Sequence, residues 1–371
     1  MLARMYELTS RERPPILERS NTPLRSETET AVSESRQVKS EKFSHRERVQ
    51  MILAGERPDR FAASFWRHFF HMEHHAEGTA EGMLAFQREF DWDFMKINPR
   101  ADYHVEDWGL KQEWSHDEFT KHRKSNFPVT VAKDWLKIKP LPASAPTLAE
   151  HLRVVSMIRR KSDRELPILM TVFTPLAVAG RMVEKRETLV EHIRKAPELV
   201  ETGLRAITET FRRFVSELRN AGADGLFFAT TQWASSDTIT WDEYRRFGIP
   251  YDLEIIKAAE ADALNILHIC NSNNYLRELA EQDYSTKLIN WDANDPTNLP
   301  LDKADSILKD KIMIGGIDHN GWLLHSEPNE IRYKIDEIKE RFRPSRLVLG
   351  PGCSIPPEIS FANLHAIREN L

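Results

Sequence analysis

The sequence holds 371 residues, 40% hydrophobic and 29% charged, with a formal net charge of -5 and two cysteines. That balance suits a globular chain with a large core and carries no basic excess for nucleic acid. No apolar run nears the roughly 20 residues of a membrane helix, and two cysteines are too few for a disulfide scaffold and fit a reducing cytoplasm.

Met1 to Leu8 is too short for the core of a signal peptide, and Glu7, Glu12 and Glu18 count against a transit peptide, so no export signal is expected. From Thr9 the chain is rich in Ser, Arg, Glu and Thr, and residues 1–42 read as a mobile polar extension ahead of one domain over 43–371. Val49, Ile52 and Leu53 predict a helix between Phe43 and Ala54. Phe61–Trp66 is the first strand expected, and Asp93–Ile97 the second, stopped by Asn98-Pro99.

Tyr103 to Pro146 lacks a clean period and reads as an excursion with some helix. Thr147, with Glu150 at capping-box spacing, predicts the start of a helix carrying Leu148, Leu152, Val155 and Ile158. Pro167–Phe173 is the third strand. Leu204, Ile207, Phe211, Phe214, Val215 and Leu218 form one helical stripe that stops at Asn220-Ala221-Gly222. Gly225–Ala229 is the fourth strand, and Tyr251–Glu260 the next helix. Asn265–Cys270, Lys287–Trp291, Lys311–Ile317 and Arg346–Leu349 complete eight, with a helix over Glu330–Phe342 before the last.

Short apolar runs alternating with amphipathic helices require a parallel sheet, because parallel strands need crossover connections. A doubly wound sheet alternates in the same way, but no Gly-x-Gly-x-x-Gly turn follows the first strand. A single (β/α)8 TIM barrel is therefore the expected fold.

The two cysteines lie at strand ends. Alternation puts His268 and Cys270 on one face, and Cys353 follows the last strand. Together they offer three ligands suited to zinc with a fourth position open. The competing readings are buried free thiols beside a core histidine, or a Cys270–Cys353 disulfide. Lys96 and Asn98 end the second strand, where one suits an anionic substrate group and the other a hydrogen bond to substrate, or both cap the strand. Thr230, Thr231 and Gln232 hold the same place after the fourth. His68, His71, His74 and His75, with Glu73, invite a second metal; spacing puts 71 and 75, and 68 and 71, on shared helical faces. The pattern is not His-Glu-x-x-His, and a solvated or loop-lining role is the reading taken.

Phe65-Trp66, Gly222-Ala223-Asp224-Gly225, Asn290-Trp291-Asp292, Gly315-Gly316-Ile317-Asp318 and Leu349-Gly350-Pro351-Gly352-Cys353, in that order, resemble the uroporphyrinogen decarboxylase superfamily across about Phe43 to Leu371. The resemblance implies a (β/α)8 barrel and one of two chemistries. The metal-free decarboxylases hold tetrapyrrole carboxylates with paired arginines after the first strand, an aspartate after the second, a tyrosine after the third and a histidine after the eighth. This sequence instead reads Arg67-His68-Phe69-Phe70-His71-Met72-Glu73, then Lys96-Ile97-Asn98, has no tyrosine from Pro175 to Gly180, and has Pro351 near the late histidine's place. The other branch comprises zinc-dependent methyltransferases acting between corrinoid proteins and thiols, with metal held by His-x-Cys and a late Cys. His268, Cys270 and Cys353 match that pattern, 83 positions separating the cysteines.

The resemblance thus implies zinc, a thiol substrate and a corrinoid carried by a partner protein, with Lys96, Asn98, Thr230, Gln232 and Asp318 as substrate-binding candidates. Asp318 is also a candidate to support the metal, or else a loop cap. A homodimer is implied by the decarboxylases. The alternatives are a tetrapyrrole decarboxylase, or a barrel that binds corrinoid or tetrapyrrole without turnover.

Overall fold

The structure is a computed structural model that describes residues 42–259 and 263–371. The polar extension expected over 1–42 lies outside them but for Lys42. Nine strands occur among the described residues: β1 Met95–Ile97, β2 Lys111–Glu113, β3 Arg123–Ser125, β4 Ile168–Phe173, β5 Gly225–Ala229, β6 Ile266–Ile269, β7 Leu288–Trp291, β8 Ile312–Ile317 and β9 Leu347–Pro351. Seven of them make one sheet in the order β1-β4-β5-β6-β7-β8-β9, with every pair parallel. β2 and β3 form an antiparallel hairpin inside the expected excursion.

The first expected strand, Phe61–Trp66, is a correction: it forms a single parallel bridge, Ala63 to Leu349. Ser64 N donates to Leu349 O and Leu349 N to Ala62 O, while Asp93 N donates to Ala63 O on the other side. The reason the ladder stops is a side chain. Ala63 N donates to Asp93 Oδ2 at 2.8 Å, so a carboxylate stands where a main-chain acceptor would continue the strand. Arg48 and Arg60 both reach that carboxylate at 2.7 Å, and Arg48 and Asp93 are fully buried, so the buried charge is paired on several sides. The segment therefore touches both edges of the sheet, which must curl for it to do so.

The strands of the sheet are buried almost throughout because helices cover the outer face, as their near-continuous apolar runs anticipate. The longest helix, Pro197–Ala221, buries all six residues of its expected stripe. It ends where Gly222 takes φ +107, a conformation that costs glycine little.

Helix starts differ from expectation where a distant group does the capping. His45–Leu53 has the local device, a Ser44–Glu47 capping box. The helix expected to start at Thr147 begins at Pro146, which has no N–H and so needs no acceptor, and Thr147 caps nothing. Instead the Asp107 carboxylate accepts from Thr147 N and Leu148 N at 3.0 and 3.2 Å, and Glu150 is drawn away to Arg100. The helix Ile249–Ala258, with Pro250 second, and the helix Pro328–Arg341 likewise start slightly ahead of their expected ranges. Ala76–Phe90, a buried helix of 15 residues, was not anticipated.

Candidate metal centre

His268 lies in β6, Cys270 one residue past it, and Cys353 two residues past β9. Their ligand atoms all lie within 4.8 Å of one another, the one such His/Cys/Asp/Glu group among the described residues. Cys270 Sγ and Cys353 Sγ are 3.8 Å apart and both thiols are free. A tetrahedral zinc with bonds of about 2.3 Å to two sulfurs has an S···S edge of about 3.8 Å, so the pair fits the ion.

The histidine is presented in one tautomer. Its Nδ1 is 2.6 Å from Asn290 Oδ1 in β7, while Asn290 Nδ2 donates to the carbonyls of Ile314 and Pro351 at 2.9 and 3.1 Å. Two acceptor-only carbonyls orient the amide, so Oδ1 faces the ring and Nδ1 carries the proton. The lone pair of Nε2 is left for a metal. Asn290 is fully buried and was missed by the sequence reasoning as a site residue, although a polar side chain inside an apolar strand is a signal that points to it.

The two thiols do not ionise alike. The hydrogen bond from Cys270, with the adjacent His268 ring also favouring the thiolate, holds Cys353 well below the usual thiol range despite burial. The same bond, with burial, pushes Cys270 up. The contact thus favours the thiolate at Cys353 and the thiol at Cys270.

Gly352 brings the loop in close: a Cβ there would meet Asp292 Cα at 2.5 Å. Burial raises the Asp292 carboxyl, with His319 opposing, and Asp292 in turn acts on Cys270.

Lys96, in the middle of β1, is buried at 3% exposure, and its Nζ lies 4.5 Å from the centroid of Phe227 and 5.4 Å from that of Trp66. The His268 ring lies 5.0 Å from the same Phe227 ring. Burial pulls Lys96 down to about 7, with Cys353 and Cys270 pulling the other way. Its Nζ donates to Asn98 Oδ1, and Ser354 Oγ, next to Cys353, reaches that oxygen at 3.5 Å. Asn98 Nδ2 is buried with no partner.

The other expected substrate residues are placed differently. Thr230 is fully buried and donates from N and Oγ1 to His268 O at 3.0 and 3.3 Å, so it braces β6. Gln232 is half-buried in the short turn Thr231–Trp233. Asp318 Oδ1 accepts from Gly321 N at 2.8 Å, which makes it a loop cap, and it acts on Asp292 through its charge.

The histidine cluster does not form the shared helical faces expected of it. Residues 67–75 are turns and coil ahead of the helix Ala76–Phe90, and His75 Nδ1 accepts from Gly78 N as that helix's cap. His68 Nδ1 instead bonds buried Glu73 at 3.0 Å, with His122 Nε2 from the hairpin 3.3 Å away. His74 Nε2 bonds Ser115 O at 2.6 Å. Burial opposes ionisation of Glu73, but the two histidines hold it down to about 2. The cluster ties the hairpin to the chain after Trp66.

No helix among the described residues is long and apolar enough to cross a membrane. A methyltransferase from Methanosarcina mazei shares the fold, with TM-score 0.73 and 19% identity over 89% of this chain and 98% of that one. A B12-independent methionine synthase from Shewanella sp. W3-18-1 is more distant, at TM-score 0.53 and 12% identity over 83% of this chain and 96% of that one. Curated relatives in sequence are the uroporphyrinogen decarboxylases of Chlorobium phaeobacteroides and Chlorobium limicola. The first is 25% identical over 62% of this chain and 66% of its own length, the second 24% identical over 65% and 70%. The family profile described as uroporphyrinogen decarboxylase (URO-D) matches residues 53–370, and the chain belongs to that family.

Proposed function

We propose that this protein is a zinc-dependent methyltransferase that moves a methyl group between a corrinoid carried by a partner protein and a thiol. The observation that carries the reading is the convergence of His268, Cys270 and Cys353, with the ring nitrogen not facing them already bonded to Asn290. The Methanosarcina mazei structure that shares this fold is titled a methyltransferase, which supports the same direction. In this reading Phe61–Trp66 is the eighth stave of a closed (β/α)8 barrel, and the site occupies the carboxyl ends of its strands, where such barrels carry their chemistry.

When bound, zinc supplies a Lewis acid that lowers the pKa of an acceptor thiol from its usual value near ~8.5. The chain's own residues prepare the position. His268, Cys270 and Cys353 provide three of four ligands, Asn290 holds the ring in its tautomer, and Trp66 and Phe227 keep the floor dry. Lys96 and Asn98 meet the acceptor, and Thr230, Gln232 and Asp318 hold the neighbouring strand ends that frame its pocket. A reducing cytoplasm, which keeps both thiols free, and a homodimer belong to the same proposal.

The test is the zinc content of protein purified without chelators, beside Cys270→Ser and Cys353→Ser variants, followed by methyl transfer from methylcobalamin to a thiol. About one zinc per chain, lost in both variants together with transfer, is the expected result. A metal-free decarboxylase is the second reading, favoured by the names of the curated relatives. It requires tetrapyrrole decarboxylation that survives Cys270→Ser.

A further inference from the structure

Lys96 is a buried cationic group with no carboxylate counter-ion among the described residues. Its Nζ has a neutral amide oxygen as hydrogen-bond partner and two aromatic faces as neighbours, and no carboxylate pairs with it among the described residues. A buried charge is normally paired, and the charges acting on this one are those of Cys353 and Cys270, which a bound divalent ion would take up, so the loaded centre needs a further anion. Two connections run from Lys96 to the candidate metal ligands. The Phe227 ring touches both Nζ and the His268 ring, at 4.5 and 5.0 Å from its centroid, and Asn98 Oδ1 joins Nζ to Ser354, the residue after Cys353.

Charge counting says which anion is missing. A divalent ion held by two thiolates and a neutral imidazole is a neutral centre. A neutral fourth ligand leaves the ammonium unpaired, whereas an anionic sulfur brings one negative charge and balances it. We propose that Lys96 is the counter-charge of the loaded metal centre, a positioning residue that makes the open coordination position select a thiolate over a neutral ligand. The proposal rests on the zinc–thiol reading above. The cation–π contacts hold the ammonium in place without neutralising it, so it stays available to the incoming anion.

The ammonium also gives Asn98 a defined orientation. Because Oδ1 is taken by Nζ, Nδ2 turns away, buried and unpartnered. Asn98→Asp changes one atom of that arrangement and supplies Lys96 with an internal carboxylate at nearly constant volume. It therefore removes the demand for an external anion while keeping the lysine.

The test uses the full chain loaded with cobalt(II) in place of zinc, so that binding of the added thiol is read from the increase in thiolate-to-metal charge-transfer absorbance over that of Cys270 and Cys353, and not from turnover. Wild type, Lys96→Met, Lys96→Arg and Asn98→Asp are titrated with 2-mercaptoethanol and, separately, with imidazole as the neutral ligand. The expected result is that Lys96→Met and Asn98→Asp each weaken thiol binding about tenfold or more and move the pH midpoint of the band upward by about one unit. Imidazole binding holds or strengthens, and Lys96→Arg restores the wild-type thiol behaviour. Equal loss for thiol and imidazole, or no change for either, would overturn the role assigned to Lys96 while leaving the zinc–thiol reading intact. A wild-type cobalt protein whose band does not grow with added thiol would overturn both, and the wild-type trace alone separates that case.

Discussion

Asn290 and His268 meet at 2.6 Å on adjacent strands at paired positions, and the amide's two donor bonds to Ile314 and Pro351 dictate which way it faces. Removing it frees the ring to turn and exchange tautomers. Asn290→Leu is expected to lower metal affinity by about 10- to 100-fold, read by competition with a chromophoric chelator, while Cys270 and Cys353 stay in place. An unchanged affinity would mean that the strand alone holds the ring.

Gly352→Ala tests how tightly the Cys353 loop is set. A Cβ at that position meets Asp292 backbone and side chain at 2.5 to 2.7 Å, and the backbone atom cannot swing away. The loop must move outward and take Cys353 with it. The expected outcome is reduced metal retention in dialysis with a melting temperature lowered by a few degrees, corresponding to about 1 to 3 kcal/mol of strain.

His45 makes stability depend on alkaline pH. Burial opposes its charge, but Asp91 and Asp93, at 2.9 and 3.3 Å, raise it to about 9. The folded value lies above the unfolded one, so the contribution is complete below about 6.5 and is lost as pH rises through about 9. Urea denaturation at pH 6 and pH 10 should show wild type losing about 2 to 3 kcal/mol more across that interval than His45→Gln.

Glu73 acts at the other end of the scale. Its carboxyl is held at about 2 against an ordinary 4.5, so its contribution is present above about 4.5 and lost as pH falls through about 2. Glu73→Gln leaves His68 and His122 without the charge between them and should cost about 2 to 4 kcal/mol at neutral pH. Limited proteolysis should then cut first within 111–125, because His122 of that hairpin loses its hold on the chain after Trp66. Cleavage elsewhere would show that the hairpin is anchored by other contacts.

What was legible depended on whether the signal was local. Strands β4 to β9 could be read because each is a short apolar run bounded by turn residues, and the Pro197–Ala221 helix because its stripe has one period. The start at Thr147 was misread because Asp107, 40 positions away, does the capping. The segment Phe61–Trp66 has a strand's composition, but its ladder is interrupted by the carboxylate of Asp93, 30 positions on. The helix Ala76–Phe90 is capped by His75, a residue type that does not mark a helix start in a sequence as Ser, Thr, Asp or Asn does.

The sequence by itself determined the alternation that requires a parallel sheet, and the order His268, Cys270, Cys353 at strand ends, because strand period and crossover rules act on neighbours along the chain. Only the tertiary structure decided that the two sulfurs stand 3.8 Å apart, that Asn290 commits the histidine to one tautomer, and that Lys96 is buried with no carboxylate paired to it among the described residues. Those depend on which strand lies next to which and at what register. Distance, orientation and the absence of a partner arise only when residues far apart in sequence are packed against one another.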